Sequence, residues 1–151
     1  MNLPRFEHRI RNRGKTRMIF DPVRRKYVTL TPEEWVRQNF MQYLIQTKKV
    51  PKSLIRVEMQ LELNGLTRRS DIVVHDRRGK PLLAVECKAP EVKITSAAFE
   101  QLSRYNLQLN VPYLIVTNGV SHFFHRFSEQ EKRFVLIDDI PDYNDLVSSE
   151  Q

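Results

Sequence analysis

Asp71, Glu86 and Lys88 are the residues whose types and spacing best fit a chemical centre. Ser70 to His75 and Pro81 to Lys88 are β-rich runs separated by the polar stretch 76–80, the pattern of a hairpin. A two-residue turn centred between Arg78 and Gly79 pairs each position i with 157 minus i, which sets Asp71 opposite Glu86. Cross-strand neighbours have Cβ atoms about 4.5–5.5 Å apart. Lys88 falls on the same face, two residues beyond Glu86, because strand side chains alternate.

Two carboxylates at that separation repel by on the order of several kcal/mol at an effective dielectric constant near 20, and a hard divalent ion relieves the conflict. Mg²⁺, with Mn²⁺ as a substitute, takes one or two carboxylates and completes its shell with waters and phosphate oxygens, a set suited to phosphodiester hydrolysis. Asp71 and Glu86 are the candidate metal ligands. Lys88 would orient or help deprotonate the attacking water and stabilise charge in a phosphorane-like transition state. The plainer alternative makes Glu86 and Lys88 an edge-strand charge pair. Against it, Leu82-Leu83-Ala84-Val85 is apolar on both faces, as in a central strand where unpaired charge is costly.

The elements that must hold these residues follow from local pattern. Met18-Ile19-Phe20 and Tyr27 to Leu30, around the turn-like Asp21-Pro22, read as two short strands or an extended lead-in. Thr31-Pro32-Glu33-Glu34 opens a helix over about 32–48, with Thr31 as N-cap, Pro32 at the first position and Glu34 as capping-box partner. Trp35, Phe40, Tyr43 and Leu44 give that helix an apolar face until Pro51 stops it. Leu54 to Leu63 is a strand ending at the Asn64-Gly65 turn signal. Thr95 or Ser96 starts a second helix through about Leu109, Tyr113 to Thr117 is a strand covered on both faces, and Phe123–Phe127 with Phe134–Ile137 form a terminal hairpin. From Asp138 the acidic, proline-containing tail reads as a peripheral flap. The expected whole is one α/β domain with a mixed sheet over 1–151: a basic arm at 1–17, a core at 18–137 and an acidic tail at 138–151.

Charge supports a nucleic-acid partner. Residues 1–56 hold 14 of the 25 Lys and Arg against 4 of the 18 Asp and Glu. Arg11, Arg13, Lys15 and Arg17 in the extended arm are the candidate DNA-binding cations, since clustered positive charge gains affinity by counterion release. No apolar run approaches the roughly 20 residues of a membrane span. The start lacks a secretory pattern and the lone Cys87 forms no internal disulfide, so a cytoplasmic setting and no membrane partner are expected. At 151 residues the chain has no room for a motor beside this domain.

These residues resemble the PD-(D/E)XK nuclease superfamily, and more closely the amino-terminal domain of type I restriction enzyme R subunits. The likeness runs from Phe20 to Gly119 through Thr31 to Gln38, Arg69-Ser70-Asp71-Ile72-Val73-Val74, Val85-Glu86-Cys87-Lys88-Ala89-Pro90, Gln101-Leu102-Ser103-Arg104-Tyr105 and Thr117-Asn118-Gly119. Ser70 stands where many members have Ala. The resemblance implies a restriction-endonuclease-like three-layer α/β/α core and a stand-alone Mg²⁺-dependent DNA nuclease domain, with DNA as its partner and other restriction-modification subunits as further candidate partners. Asp71, Glu86 and Lys88 would be its catalytic residues, together with a first-helix acid. Glu34 is the candidate for that acid, with the capping-box role as an equal alternative and Glu33 in reserve. It also implies that Gln101 and Tyr105 lie beside the site and contact phosphate or Lys88; by periodicity alone Tyr105 is a core residue. The alternative function is a DNA-binding or assembly module with little cleavage of its own.

Two further signals carry little. Gly14-Lys15-Thr16 lacks the earlier glycine of a phosphate-binding loop, and His122 with His125 has no acid or cysteine at zinc-ligand spacing.

Overall fold

The computed structural model describes residues 2–149 apart from 64 and 65; the side chains of 59–63, 66–70 and 105–108 also lie outside the described part. The expected Asn64-Gly65 turn, the side chains of Arg69 and Ser70 and that of Tyr105 are therefore outside the described residues.

The amino-terminal cations do not form a free arm. β1 (Ile10–Arg13), β2 (Thr16–Asp21) and β3 (Lys26–Thr29) make an antiparallel three-stranded sheet. Gly14 turns the β1–β2 hairpin at φ +62°, where a side chain would be strained. The preceding residues are tied down as well. Asn2 N donates to Gly119 O at 2.7 Å, His8 bonds the Asn39 side chain at 3.1 Å, and Leu3 and Phe6 pack on the core. An alternating Arg/other pattern is as good a strand as a linker, and the apolar partners that decide between them are distant in sequence.

α1 (Pro32–Gln42) starts as its sequence dictates: Thr31 Oγ1 accepts from Glu34 N at 3.0 Å and Pro32 occupies the first turn. It runs into a π-helical turn at Tyr43–Thr47. Val36, Phe40, Met41 and Leu44 are completely buried, worth about 1.5–3 kcal/mol for each large side chain. Trp35, expected in the core, is only half-buried and packs on the His8 ring at 5.0 Å between centroids. The helix face at 36, 40 and 44 turns inward and leaves position 35 at its edge.

The main sheet has the order β4 (Ile55–Leu63), β5 (Leu66–His75), β6 (Pro81–Cys87), β7 (Tyr113–Thr117), β8 (His122–Ser128) and β9 (Arg133–Ile137). Neighbours are antiparallel except β6 and β7, which are parallel and joined through α2 (Ser96–Leu109), as a parallel pair requires a long crossover. Alternation sorts the sheet into two faces. Ile72, Val74, Leu83, Val85, Tyr113 and Ile115 pack with α1 residues, whereas Val73, Ala84, Leu114 and Val116 pack with Leu102 and Leu109 of α2. The result is a three-layer α/β/α domain. Among the described residues no helix is long and apolar enough to cross a membrane.

The expected two-residue turn between β5 and β6 is instead a loop over 76–80. Asp76 Oδ1 accepts from Arg78 N and Lys80 N, Gly79 sits at φ +88°, and a bulge at Val74/His75 absorbs the extra length. The carboxyl end also differs from the expected flap. Ile140 and, on α3 (Tyr143–Ser148), Tyr143 and Leu146 are buried in the α1-side core, and Tyr143 Oη donates to His75 O at 3.1 Å. Their three-residue spacing is compatible with a helix face, but the acidic neighbours mask it.

Candidate functional site

Pairing of Ile72 with Val85, Val73 with Ala84 and Val74 with Leu83 gives the register that sets Asp71 against Glu86. The β4 register, Val57 with Ile72 and Met59 with Ser70, sets Glu58 on the other side of Asp71. Three acids from three strands thus form one row. The regular ladder is interrupted there: Glu58 has φ +54°, and Asp71 uses its side chain, Oδ2 accepting from Cys87 N at 2.7 Å. Lys88 N donates to Thr117 O, and Lys88 Nζ lies 3.2 Å from Glu86 Oε1.

By alternation Asp71, Glu86 and Lys88 share the α2 side with Val73 and Ala84. The start of α1 reaches the same end of the strands. Arg37 Nη2 donates to Asp71 Oδ1 at 3.0 Å, and its Nη1 donates to Glu34 Oε1 at 3.0 Å and Glu58 Oε1 at 3.1 Å. Arg24 bonds Asp21 Oδ2 at 2.6 Å and approaches Glu34 at 3.2 Å and Glu58 at 3.4 Å. Buried Asp21 also accepts from Val23 N, Arg24 N and Gln38 Nε2. Sequence reasoning missed Arg37, Arg24, Glu58 and Asp21 as parts of one network. Arginines near helix acids ordinarily read as solvated pairs; only the strand register of Glu58 offered a signal.

Glu34 is buried and occupied by Arg24, Arg37 and Gln38, so the capping box forms only in its Thr31 half. Glu33 is half-exposed, its side chain 49% accessible. Burial first, then the Asp71 charge, raises the Glu33 carboxyl pKa, opposed by Arg37 and Lys88. The Glu33 charge in turn adds to the causes that raise Glu86.

Burial is also the main cause that raises Asp71, against the Cys87 amide, Arg37 and Lys88. Glu86 is pushed from 4.5 up to about 7 by burial and by Asp71, with Lys88 pulling the other way. Burial opposes the Arg37 charge, but Glu34 and Asp71 outweigh it and hold its pKa above the usual value. Burial drives the Cys87 thiol upward, leaving it protonated and unreactive.

Among the described residues no three His, Cys, Asp or Glu side chains are already gathered as a metal cage. Two adjacent carboxylates, one with its proton affinity raised by the other, are nevertheless a fitting donor set for Mg²⁺, which keeps several water and phosphate positions. A cleft of about 560 Å³ opens at the start of α1, lined by Glu33, Glu34, Arg37 and Glu58 but by neither Asp71 nor Glu86. A larger cavity of about 690 Å³ lies between α2 and the β8–β9 hairpin, lined by Phe99, Phe127 and Phe134, away from these acids.

The remaining candidates are dispersed. Gln101 is exposed on α2, and the backbone of Tyr105 lies one turn further on. Arg11 and Arg13 share the outer face of the small sheet with Arg9; the guanidinium groups of Arg9 and Arg11 each lie 3.8 Å over the rings of Phe20 and Tyr27. Lys15 is in the hairpin turn, and Arg17 alternates onto the reverse side with Ile19. His122 bonds Thr117 Oγ1 and Asn2 O, while His125 stacks on Phe99, so both have structural partners.

Residues 32–141 match the family described as the type I restriction enzyme R protein N terminus. No curated protein matches the chain. A solved fragment from Vibrio vulnificus YJ016, titled as an HsdR subunit of a type I restriction enzyme, superposes with a TM-score of 0.57 at 16% identity. That similarity covers 79% of this chain and 25% of the fragment, so the chain spans about a quarter of its structural relative.

Proposed function

The chain belongs to the family of type I restriction enzyme R protein N termini, and on that premise we propose that it is a Mg²⁺-dependent nuclease domain of the PD-(D/E)XK kind. One observation carries the reading: the β5–β6 register sets Asp71 against Glu86, with Lys88 Nζ 3.2 Å from the Glu86 carboxylate. Asp71 and Glu86 would hold the ion, with Mn²⁺ as a substitute. When bound, a divalent ion supplies positive charge to phosphate oxygens and makes a water more acidic. Lys88 orients the attacking water and stabilises the negative charge that develops on phosphorus-bound oxygens. Asp71 is kept in orientation by Arg37 and by the Cys87 amide.

DNA is the proposed substrate. The outer face of β1, with Arg11 and Arg13 exposed, supplies the non-specific phosphate contacts; Lys15 and Arg17 flank it, and Gln101 and Tyr105 would add a contact to phosphate from α2. Glu33 is the α1 acid assigned to the centre, and Glu34 belongs to the network that holds α1. Other restriction-modification subunits are proposed partners. Incubation with plasmid and linear DNA in Mg²⁺ or in EDTA tests the reading: cleavage should require the metal.

A second reading, a DNA-binding or assembly module with little autonomous cleavage, is favoured by the cations Arg37 and Lys88 that already pair with Asp71 and Glu86. Metal-dependent DNA binding without cleavage would select it.

A further inference from the structure

Arg37 lies at the centre of the negative charge that surrounds the site. Its side chain is 7% exposed. It bonds Glu34, Glu58 and Asp71 and stands 3.6 Å from Glu33, so it joins α1, β4 and β5 through their acids. Arg24 serves the outer side of the cluster, reaching Asp21, Glu34 and Glu58. Lys88 pairs with Glu86 at the other end. Among the described residues, Asp21, Glu33, Glu34, Glu58, Asp71 and Glu86 thus face Arg24, Arg37 and Lys88. Like charges at this spacing and burial do not stay assembled without compensation.

We infer that Arg37 is a resident counter-cation: in the metal-free protein it holds the carboxylate cluster together and orients Asp71, and its charge opposes an arriving divalent ion. The geometry leaves both functions open to the same side chain. Arg37 uses one acceptor site on Asp71 Oδ1 and the Cys87 amide one on Oδ2, while an ionised carboxylate offers about four. Among the described residues these bonds aim Asp71 without saturating it. A planar guanidinium suits this position because its fork meets several acids at once, which a lysine ammonium does not. The effect on metal binding rests on the proposed nuclease reading; the counter-charge role does not.

Thermal unfolding of the full chain tests the inference, comparing wild type, Arg37→Met, Arg37→Lys, Asp71→Asn and the double Arg37→Met/Asp71→Asn in EDTA. Wild type and the Arg37→Met and Arg37→Lys variants are repeated in MgCl₂, with KCl of equal ionic strength as the screening control. Arg37→Met should melt lower in EDTA and gain more from MgCl₂ than wild type does, because the ion replaces the missing charge. Arg37→Lys should lose less. In EDTA the double variant should melt above Arg37→Met, since removing an acid relieves the uncompensated cluster. If Arg37→Met has no folded state in EDTA, return of a cooperative transition on adding MgCl₂ or Asp71→Asn supports the same conclusion.

The inference is overturned if the Arg37→Met loss is the same in all three solutions and Asp71→Asn adds an independent loss, or if neither restores folding; Arg37 then serves packing alone. Failure of the nuclease reading looks different: wild type shows no response to MgCl₂ and no cleavage, yet coupling between positions 37 and 71 persists.

Discussion

Ile72 of β5 pairs with Val85 of β6, and one step along both strands this register brings Asp71 and Glu86 face to face. Glu86 consequently has its carboxyl pKa pushed from 4.5 up to about 7, by burial and then by Asp71. A raised carboxyl pKa means that the native state keeps a proton the unfolded chain has released, so stability is greatest below the unfolded value and falls as pH rises through the folded one. In EDTA the melting temperature of wild type relative to Glu86→Gln should decline between about pH 4.5 and 7; taking the difference removes the opposite contribution of His75 and His125, whose pKa values burial lowers. Parallel wild-type and Glu86→Gln curves across that window would show that Glu86 ionises freely.

Phe40 and Trp35 lie on the same helix but should behave differently. Phe40 is fully buried, so Phe40→Ala should cost about 3–5 kcal/mol in urea unfolding. Trp35→Ala should cost less, because that ring is half-buried on His8. Equal losses would mean that the side of α1 facing His8 is as much core as its sheet-facing side.

DNA affinity should fall steeply with salt, and Arg11→Gln/Arg13→Gln should lower the slope of log K against log salt by about 0.9 for each phosphate that is no longer neutralised. Arg17→Gln, on the reverse side of the hairpin, should change it less. Fluorescence anisotropy over a salt series reads both. An unchanged slope in the double variant would remove β1 from the DNA interface.

Much of this arrangement is legible in the chain. Alternation in Ile72-Val73-Val74 and Leu83-Ala84-Val85 marks two central strands, and their hairpin fixes the register that joins Asp71 to Glu86. The turn itself differs from its local pattern because the Asp76 side chain organises a longer loop and a bulge cancels the added residue. Local pattern also marks Thr31 and Pro32 as a helix start and Glu34 as their capping-box partner, yet does not say which other groups Glu33 and Glu34 meet. What divides those two acids is Arg37 and Arg24, whose partners come from β2, β4 and β5. Such partners are set by packing at long range, which composition and periodicity do not encode. Ile140, Tyr143 and Leu146 are hidden for a related reason: their burial depends on the surface formed by α1 and the sheet.

The most direct measurement compares wild type with Lys88→Ala for plasmid cleavage in Mg²⁺, with an EDTA control and a calorimetric metal titration of both proteins. Lys88→Ala leaves Asp71 and Glu86 in place, so metal and DNA should still bind while cleavage falls by orders of magnitude, as when an interaction operates mainly in the transition state. Equal cleavage by the two proteins would contradict the assigned centre, and wild type that cuts no nucleic acid with either Mg²⁺ or Mn²⁺ would contradict the nuclease function itself.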